Sequence, residues 1–141
     1  MGNLLQAINA SASALDVQRA RMEVAVSNLA NAESTRDADG QPYRRREVVI
    51  ESVPFDQHLD RSQVQTAGVR VAAVVEDQTE FRRRYEPSHP DADADGFVAV
   101  PNVDVPEEMV DMIGAARAYQ ANLTAINLIR DTVQKALELA K

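Results

Sequence analysis

Cysteine is absent from this chain, and with it every disulfide, thiolate metal site and cysteine nucleophile. That absence is compatible with any compartment. Tryptophan is missing too, and aromatic residues make up 4% of the chain although 45% of it is hydrophobic. Much of the apolar content is therefore alanine, which suits helices and makes a poor bulky core. Positive charge is in short supply: 15 Lys and Arg against 22 Asp and Glu leave a formal net charge of −7, which repels nucleic acid. No unbroken apolar run is long enough to span a bilayer. The opening stretch MGNLLQAINASASALDVQRA has neither the basic start nor the apolar stretch of a cleaved signal peptide. Gln6 stands where myristoylation needs Ser or Thr. These absences lead us to expect no nucleic-acid partner and no direct membrane insertion. If the chain leaves the cytoplasm, it uses a route that keeps its N-terminus.

What is present lies mostly at the two ends. Leu4, Ile8, Ser11, Leu15, Gln18, Met22, Ala25, Leu29 and Ala32 alternate by four and three residues, the a/d seam of a heptad helix over about 3–32. Asn9, Asp16, Arg19, Glu23 and Ser27 occupy its opposite surface. Met109, Met112, Ala116, Tyr119, Leu123, Ile126, Arg130, Val133, Leu137 and Ala140 repeat the pattern near the C-terminus, and Ile113, Leu128 and Ile129 widen the stripe. Asp104 with Glu107 forms a capping-box-like start, with Pro106 in the first turn and Glu107 and Glu108 complementing the helix dipole. The fold class is α+β: two long helices pairing as an antiparallel coiled-coil-like hairpin around a small antiparallel β region. The expected division is 1–35, 36–103 and 104–141. Periodicity alone leaves open whether the stripes close on each other within one chain or pack against copies.

Between the helices, YRRREVVIE (Tyr43 to Glu51), VRVAAVVED (Val69 to Asp77), EFRRRYEP (Glu80 to Pro87) and GFVAVP (Gly96 to Pro101) read as four strands. Ser52 to Gly68 reads as a loop. Each triple-arginine run, Arg44–Arg46 and Arg82–Arg84, is placed in a strand, so its side chains alternate between faces and form no basic row. Solvated faces or ion pairs are expected, with Arg83 beside Phe81 and Tyr85 in a cation–π position. PDADADG, from Pro90 to Gly96, spells the first half of an EF-hand loop. Position twelve, however, falls on Asn102 instead of a closing Glu, and proline-flanked chain replaces the incoming helix. A polar turn is the plainer reading. His58 and His89 are the only histidines, and neither has a spacing that suggests a metal or a catalytic triad. No catalytic residue, metal or cofactor is expected; a small coiled-coil adaptor or calcium-binding module stands as the alternative to a structural role.

SALDVQRARMEVAVSNLANAEST (Ser13 to Thr35) with DGQPYRRREVVIE (Asp39 to Glu51), and HPDADADGFVAVPNVDVPEEMVDMIGAARAYQANLTAIN (His89 to Asn127), together resemble the FlgC-type proximal rod proteins of the flagellar axial family. SNLANA marks the wider family; its combination with DGQPY, the HPDADADG run and RAYQAN narrows it to that type. The resemblance implies a structural subunit and no enzyme. It also implies export, without cleavage, through the flagellar type III apparatus, and assembly with itself and other rod subunits into the helical rod in the periplasm. By matching positions, Asn28, Leu29, Ala30 and Asn31 carry the N-terminal motif. Glu108, Met109, Ile113, Arg117, Tyr119, Gln120, Asn122 and Leu123 carry the C-terminal one. With seam residues Leu15, Met22 and Ile126, the expected assembly residues are Leu15, Met22, Asn28, Leu29, Asn31, Met109, Ile113, Arg117, Tyr119, Gln120, Asn122, Leu123 and Ile126. Asn28 and Asn31 are expected to cap the end of the first helix, and Asn28, Asn31 and Gln120 to set subunit register.

Overall fold

The computed structural model describes residues 2–36, 40–54 and 66–139. Its elements run in the order α1 (Gly2–Ala30), β1 (Arg46–Pro54), β2 (Thr66–Glu76), β3 (Arg82–Tyr85), β4 (Phe97–Val100) and α2 (Val105–Leu139). His58, residues 37–39, most of the 52–68 stretch and Ala140 lie outside the described residues.

The helices pair antiparallel. Asn28 at the end of α1 meets Glu108 at the start of α2, and Arg21, two turns back, meets Asp111. The α2 start forms as its sequence dictates, with the Glu107 amide donating to Asp104 Oδ1 at 3.3 Å and the Glu108 amide to the Asp104 carbonyl at 3.0 Å. On α2 the covered positions are Glu108, Met112, Ala115, Ala118, Tyr119, Asn122, Ala125, Ile126, Ile129 and Val133. They share Met112, Tyr119, Ile126 and Val133 with the seam expected from periodicity. The other seam positions lie one residue earlier: Ala115, Asn122 and Ile129 face inward in place of Ala116, Leu123 and Arg130. Polar Glu108 and Asn122 occupy seam positions, so an apolar count selects their larger apolar neighbours instead. On α1 the outward stripe is Asn9, Ala12, Asp16, Arg19, Glu23, Val26 and Ala30; Ser27, expected there, turns inward.

Among the described residues the strands do not form one four-stranded sheet: β1 pairs with β2 and β3 with β4, both antiparallel. β1 begins at Arg46 and runs through Ser52 to Pro54, while β2 starts at Thr66, so the loop expected over 52–68 is shorter by several residues at each end. Arg44 and Arg45 precede the strand instead of lying in it. The first hairpin is bulged, because Val49 pairs with Ala73 but Ile50 with Val71, leaving Ala72 as the extra residue. It seats on α1 through Ser13, whose hydroxyl accepts from the Val69 amide at 3.1 Å and donates to the Ala10 carbonyl at 2.9 Å. At Gly68 the strand runs so close to α1 that a Cβ would stand 2.5 Å from Ser13 Oγ.

β3 and β4 turn Val98 and Val100 inward and Tyr85 and Phe97 outward, the latter two stacked edge-on at 5.3 Å. The turn before β4 is the PDADADG stretch. Asp93 Oδ1 accepts from the Asp95 and Phe97 amides at 3.0 and 2.8 Å, and Gly96 takes a φ of 81°, a left-handed conformation that glycine adopts without strain. Asp91 accepts from Thr35 at 2.9 Å, Asp93 pairs with Arg83 at 3.0 Å, and His89 accepts from the Asp91 amide at 3.1 Å. These contacts make the stretch a turn that ties the end of α1 to the second hairpin. The core is small: Val17, Ala25, Ala32, Tyr43, Val98, Val100, Val103 and Ala115 are its buried apolar residues.

Candidate assembly site at the helix junction

Among the described residues the largest fully buried side chains include two polar ones, Glu108 and Asn28, only 2% and 1% exposed. Burying such groups is tolerable only if every polar atom is bonded. The Asn28 amide meets that demand completely. Its Nδ2 donates to the Arg46 carbonyl and to Glu108 Oε2, each at 2.9 Å, and its Oδ1 accepts from the Arg46 amide at 2.9 Å and the Tyr43 hydroxyl at 3.0 Å. Asn28 thus bonds the first residue of β1 as a neighbouring strand would, using a side chain in place of backbone. It does not cap the helix. Asn31 does that, with Nδ2 donating to the Ser27 carbonyl at 2.8 Å.

Arg45 lies one residue before the strand, and extended chain points its backbone the other way. Its amide donates to Asn102 Oδ1 at 2.8 Å, and its carbonyl accepts from the Asp77 amide at 2.8 Å. Asn102 in turn donates to the Asp77 carbonyl at 3.2 Å and to Thr79 Oγ1 at 2.8 Å. The 43–47 segment is therefore a strap held on both edges: by α1 on one side, and on the other by the turn after β2 and the connection into α2. Arg45 Nε donates to Glu108 Oε1 at 2.6 Å, and its NH1 donates to Glu47. Burial opposes the charge on Arg45, but the hydrogen bonds to Glu108 and Glu47 and their negative charges outweigh it, so its pKa is raised. The hydrogen bond from the Thr79 amide, aided by the nearby Arg45 and Arg44, lowers the Asp77 pKa despite partial burial.

The other arginines of the two runs are also committed within the chain, as ion pairs or carbonyl contacts. Arg44 covers the Phe81 ring at 4.3 Å and donates to the Asp77 and Thr79 carbonyls. Arg46 approaches Glu76, Arg82 donates to the Pro101 and Val103 carbonyls, and Arg84 reaches Glu33. Arg83 stacks on Phe97 at 5.6 Å, diagonally across the hairpin instead of beside Phe81, whose ring Arg44 covers.

Along α2 the apolar stripe is wider than the seam. Met109, Val110 and Ile113 are 49%, 69% and 48% exposed, and Leu123, Arg117 and Gln120 are exposed with them. Tyr119, Asn122 and Ile126 sit in the seam, as do Leu15, Met22 and Leu29 on α1, all partly covered. The expected assembly residues thus fall into two sets: one between the helices and one on the free flank of α2.

Residues 94–139 match the family described as flagellar basal body rod FlgEFG protein C-terminal. The chain is 44% identical to the flagellar basal-body rod protein FlgC of Salmonella typhimurium over 98% of both chains. It is 41% identical to that of Bacillus subtilis over 95% of this chain and 96% of the relative. With the protein of Aquifex aeolicus it shares 37% identity over 100% of both. The chain belongs to the FlgC family of flagellar basal-body rod proteins.

Membership makes the chain a structural subunit of the basal-body rod, and a FlgC-type subunit needs surfaces more than a reaction centre. The matched C-terminal segment spans the turn before β4, the Asn102 connection and α2. Arg45, Tyr43 and Asn102 are junction residues outside the expected assembly set, although ion pairs were expected for the run that holds Arg45. The available signal was indirect: a helix seam with Glu and Asn at heptad positions needs buried partners, and an arginine run beside a tyrosine can supply them, although two such runs occur in the chain.

Proposed function

We propose that this chain is a proximal rod subunit that polymerises with copies of itself and with other rod proteins into a helical shaft crossing the periplasm. Identity of 37–44% over nearly the full length with FlgC proteins of three bacteria carries this reading. Delivery is by the flagellar type III apparatus, in unfolded form and without cleavage. The small core supports that route, because no leucine, isoleucine, phenylalanine or methionine is fully buried among the described residues. The chain performs no catalysis. It is organised as an axial helix over 1–35, a β region over 36–103 and a second axial helix over 104–141.

The two sets of assembly residues act differently. Leu15, Met22, Leu29, Tyr119, Asn122 and Ile126 set the pairing of the helices, Asn31 fixes where α1 ends, and Asn28 ties that end to the start of α2. Met109, Ile113, Arg117, Gln120 and Leu123 present the surface that adjoining subunits cover. Four bonds within the chain saturate Asn28, so it influences register by placing the helices and not by touching a neighbour.

The natural lack of cysteine gives a clean test. Ile113→Cys and Tyr119→Cys are introduced singly, each thiol is labelled with a maleimide that carries a photoreactive benzophenone, and isolated basal bodies are irradiated. Cross-links from position 113 to an adjoining rod subunit, with position 119 silent, are expected. A chain that never co-purifies with basal bodies, or one that cross-links from 119 and not from 113, overturns the proposal.

A further inference from the structure

Helix α2 and the first hairpin are both held by α1, yet among the described residues they make no close backbone approach to each other. An open cleft of about 260 Å³ lies between them, with Val48 and Ile50 of β1 on one wall and Glu108 and Asp111 of α2 on another. The strap bridges this gap. Glu108 is the meeting point: its two carboxylate oxygens are divided between Asn28 of α1 and Arg45 of the strap. The side chains of Glu108 and Arg45 are 3% and 12% exposed, so each charge is met mainly by protein partners and only at the cleft edge by water. Arg45 also fixes the open end of the hairpin. Arg46 is the first residue of β1, and the Arg45 carbonyl accepts from Asp77, the residue after β2.

A helix pair formed without the strap would leave Glu108 as a buried charge without its cation, and a seated strap without α2 would leave Arg45 without its buried carboxylate. Both half-formed states are penalised, whereas well-packed apolar residues in the same places would hold each part alone at no such penalty. We infer that Arg45 and Glu108 form a latch that couples the docking of α2 to the seating of the β1–β2 hairpin, so that the two open and close as one unit. The coupling stands on the geometry of a single chain and holds whether or not the rod reading does. In a rod, it means that a neighbour displacing the start of α2 also moves the hairpin.

Native-state hydrogen exchange on the full chain reads this directly, because segments that open together share one opening free energy. In the unaltered protein the amides of β1 and of the first turns of α2 are expected to exchange through one opening and respond alike to urea. In the Glu108→Leu/Arg45→Met double variant, which fills the junction with apolar groups, the two sets are expected to separate by about tenfold or more in rate. Should that variant not fold, Glu108→Gln/Arg45→Met is read in the same way. Glutamine keeps an acceptor for Asn28 while both buried charges are removed, and split exchange is again expected. Separate openings in the unaltered protein, or a single opening that persists in the variant measured, would overturn the latch.

Discussion

Asn28 shows how much a single amide can carry when every lone pair and proton is used. An alanine there deletes four hydrogen bonds, and it strands the amide and carbonyl of Arg46, the Tyr43 hydroxyl and one oxygen of Glu108. Leaving buried polar groups unpaired costs more than the bonds were worth on balance. Asn28→Ala is therefore expected to lose about 3–5 kcal/mol of stability, the range for breaking a buried charged network, as measured by urea denaturation. A loss below about 1 kcal/mol, the scale of one ordinary hydrogen bond, would show that the amide is not the keystone. The sequence made Asn28 conspicuous only through its family resemblance. Its task was hidden because its partners lie 15 to 80 residues away, a distance that helix-local reasoning about caps does not reach.

At the scale of elements, both helices and all four strands were readable from period, propensity and turn residues, because these are local properties. What the pattern did not reveal was which side of each element faces which neighbour. On α2 the stripe is wide enough to admit two seams one residue apart, and the choice between them depends on Glu108 and Asn122 finding buried partners on other segments. The division into two hairpins was equally hidden, since it follows from the turn at Asp77–Thr79 being bonded to Arg44, Arg45 and Asn102. Apart from the bonds between Asn28 and Arg46, the hairpin meets α1 closely at Gly68 and Ser13. Gly68→Ala pushes a methyl against Ser13 Oγ and threatens its bond to the Val69 amide. We expect a loss of about 1–3 kcal/mol from overpacking, and a cost for the Ser13→Ala/Gly68→Ala pair below the sum of the singles, since they share one contact. Strict additivity in a double-mutant cycle would place the hairpin's seat elsewhere.

The whole molecule joins a weak core to a wide free surface. Its buried apolar residues among the described ones are few and mostly small, its most buried polar cluster ties five segments together, and most of the exposed apolar residues lie on the flank of α2 and on the first hairpin, with Tyr85 and Phe97 on the second. That distribution suits a part whose stability is completed by neighbours. Two different exposed patches on one chain favour a head-to-tail contact, which propagates as an open helix when the rotation does not close. The most direct test of the rod reading is electron microscopy of basal bodies purified from a host that lacks this chain. Membrane rings without rod or hook, restored to full structures by the intact gene, are the predicted result. Complete hook–basal bodies in the absence of the chain would contradict it.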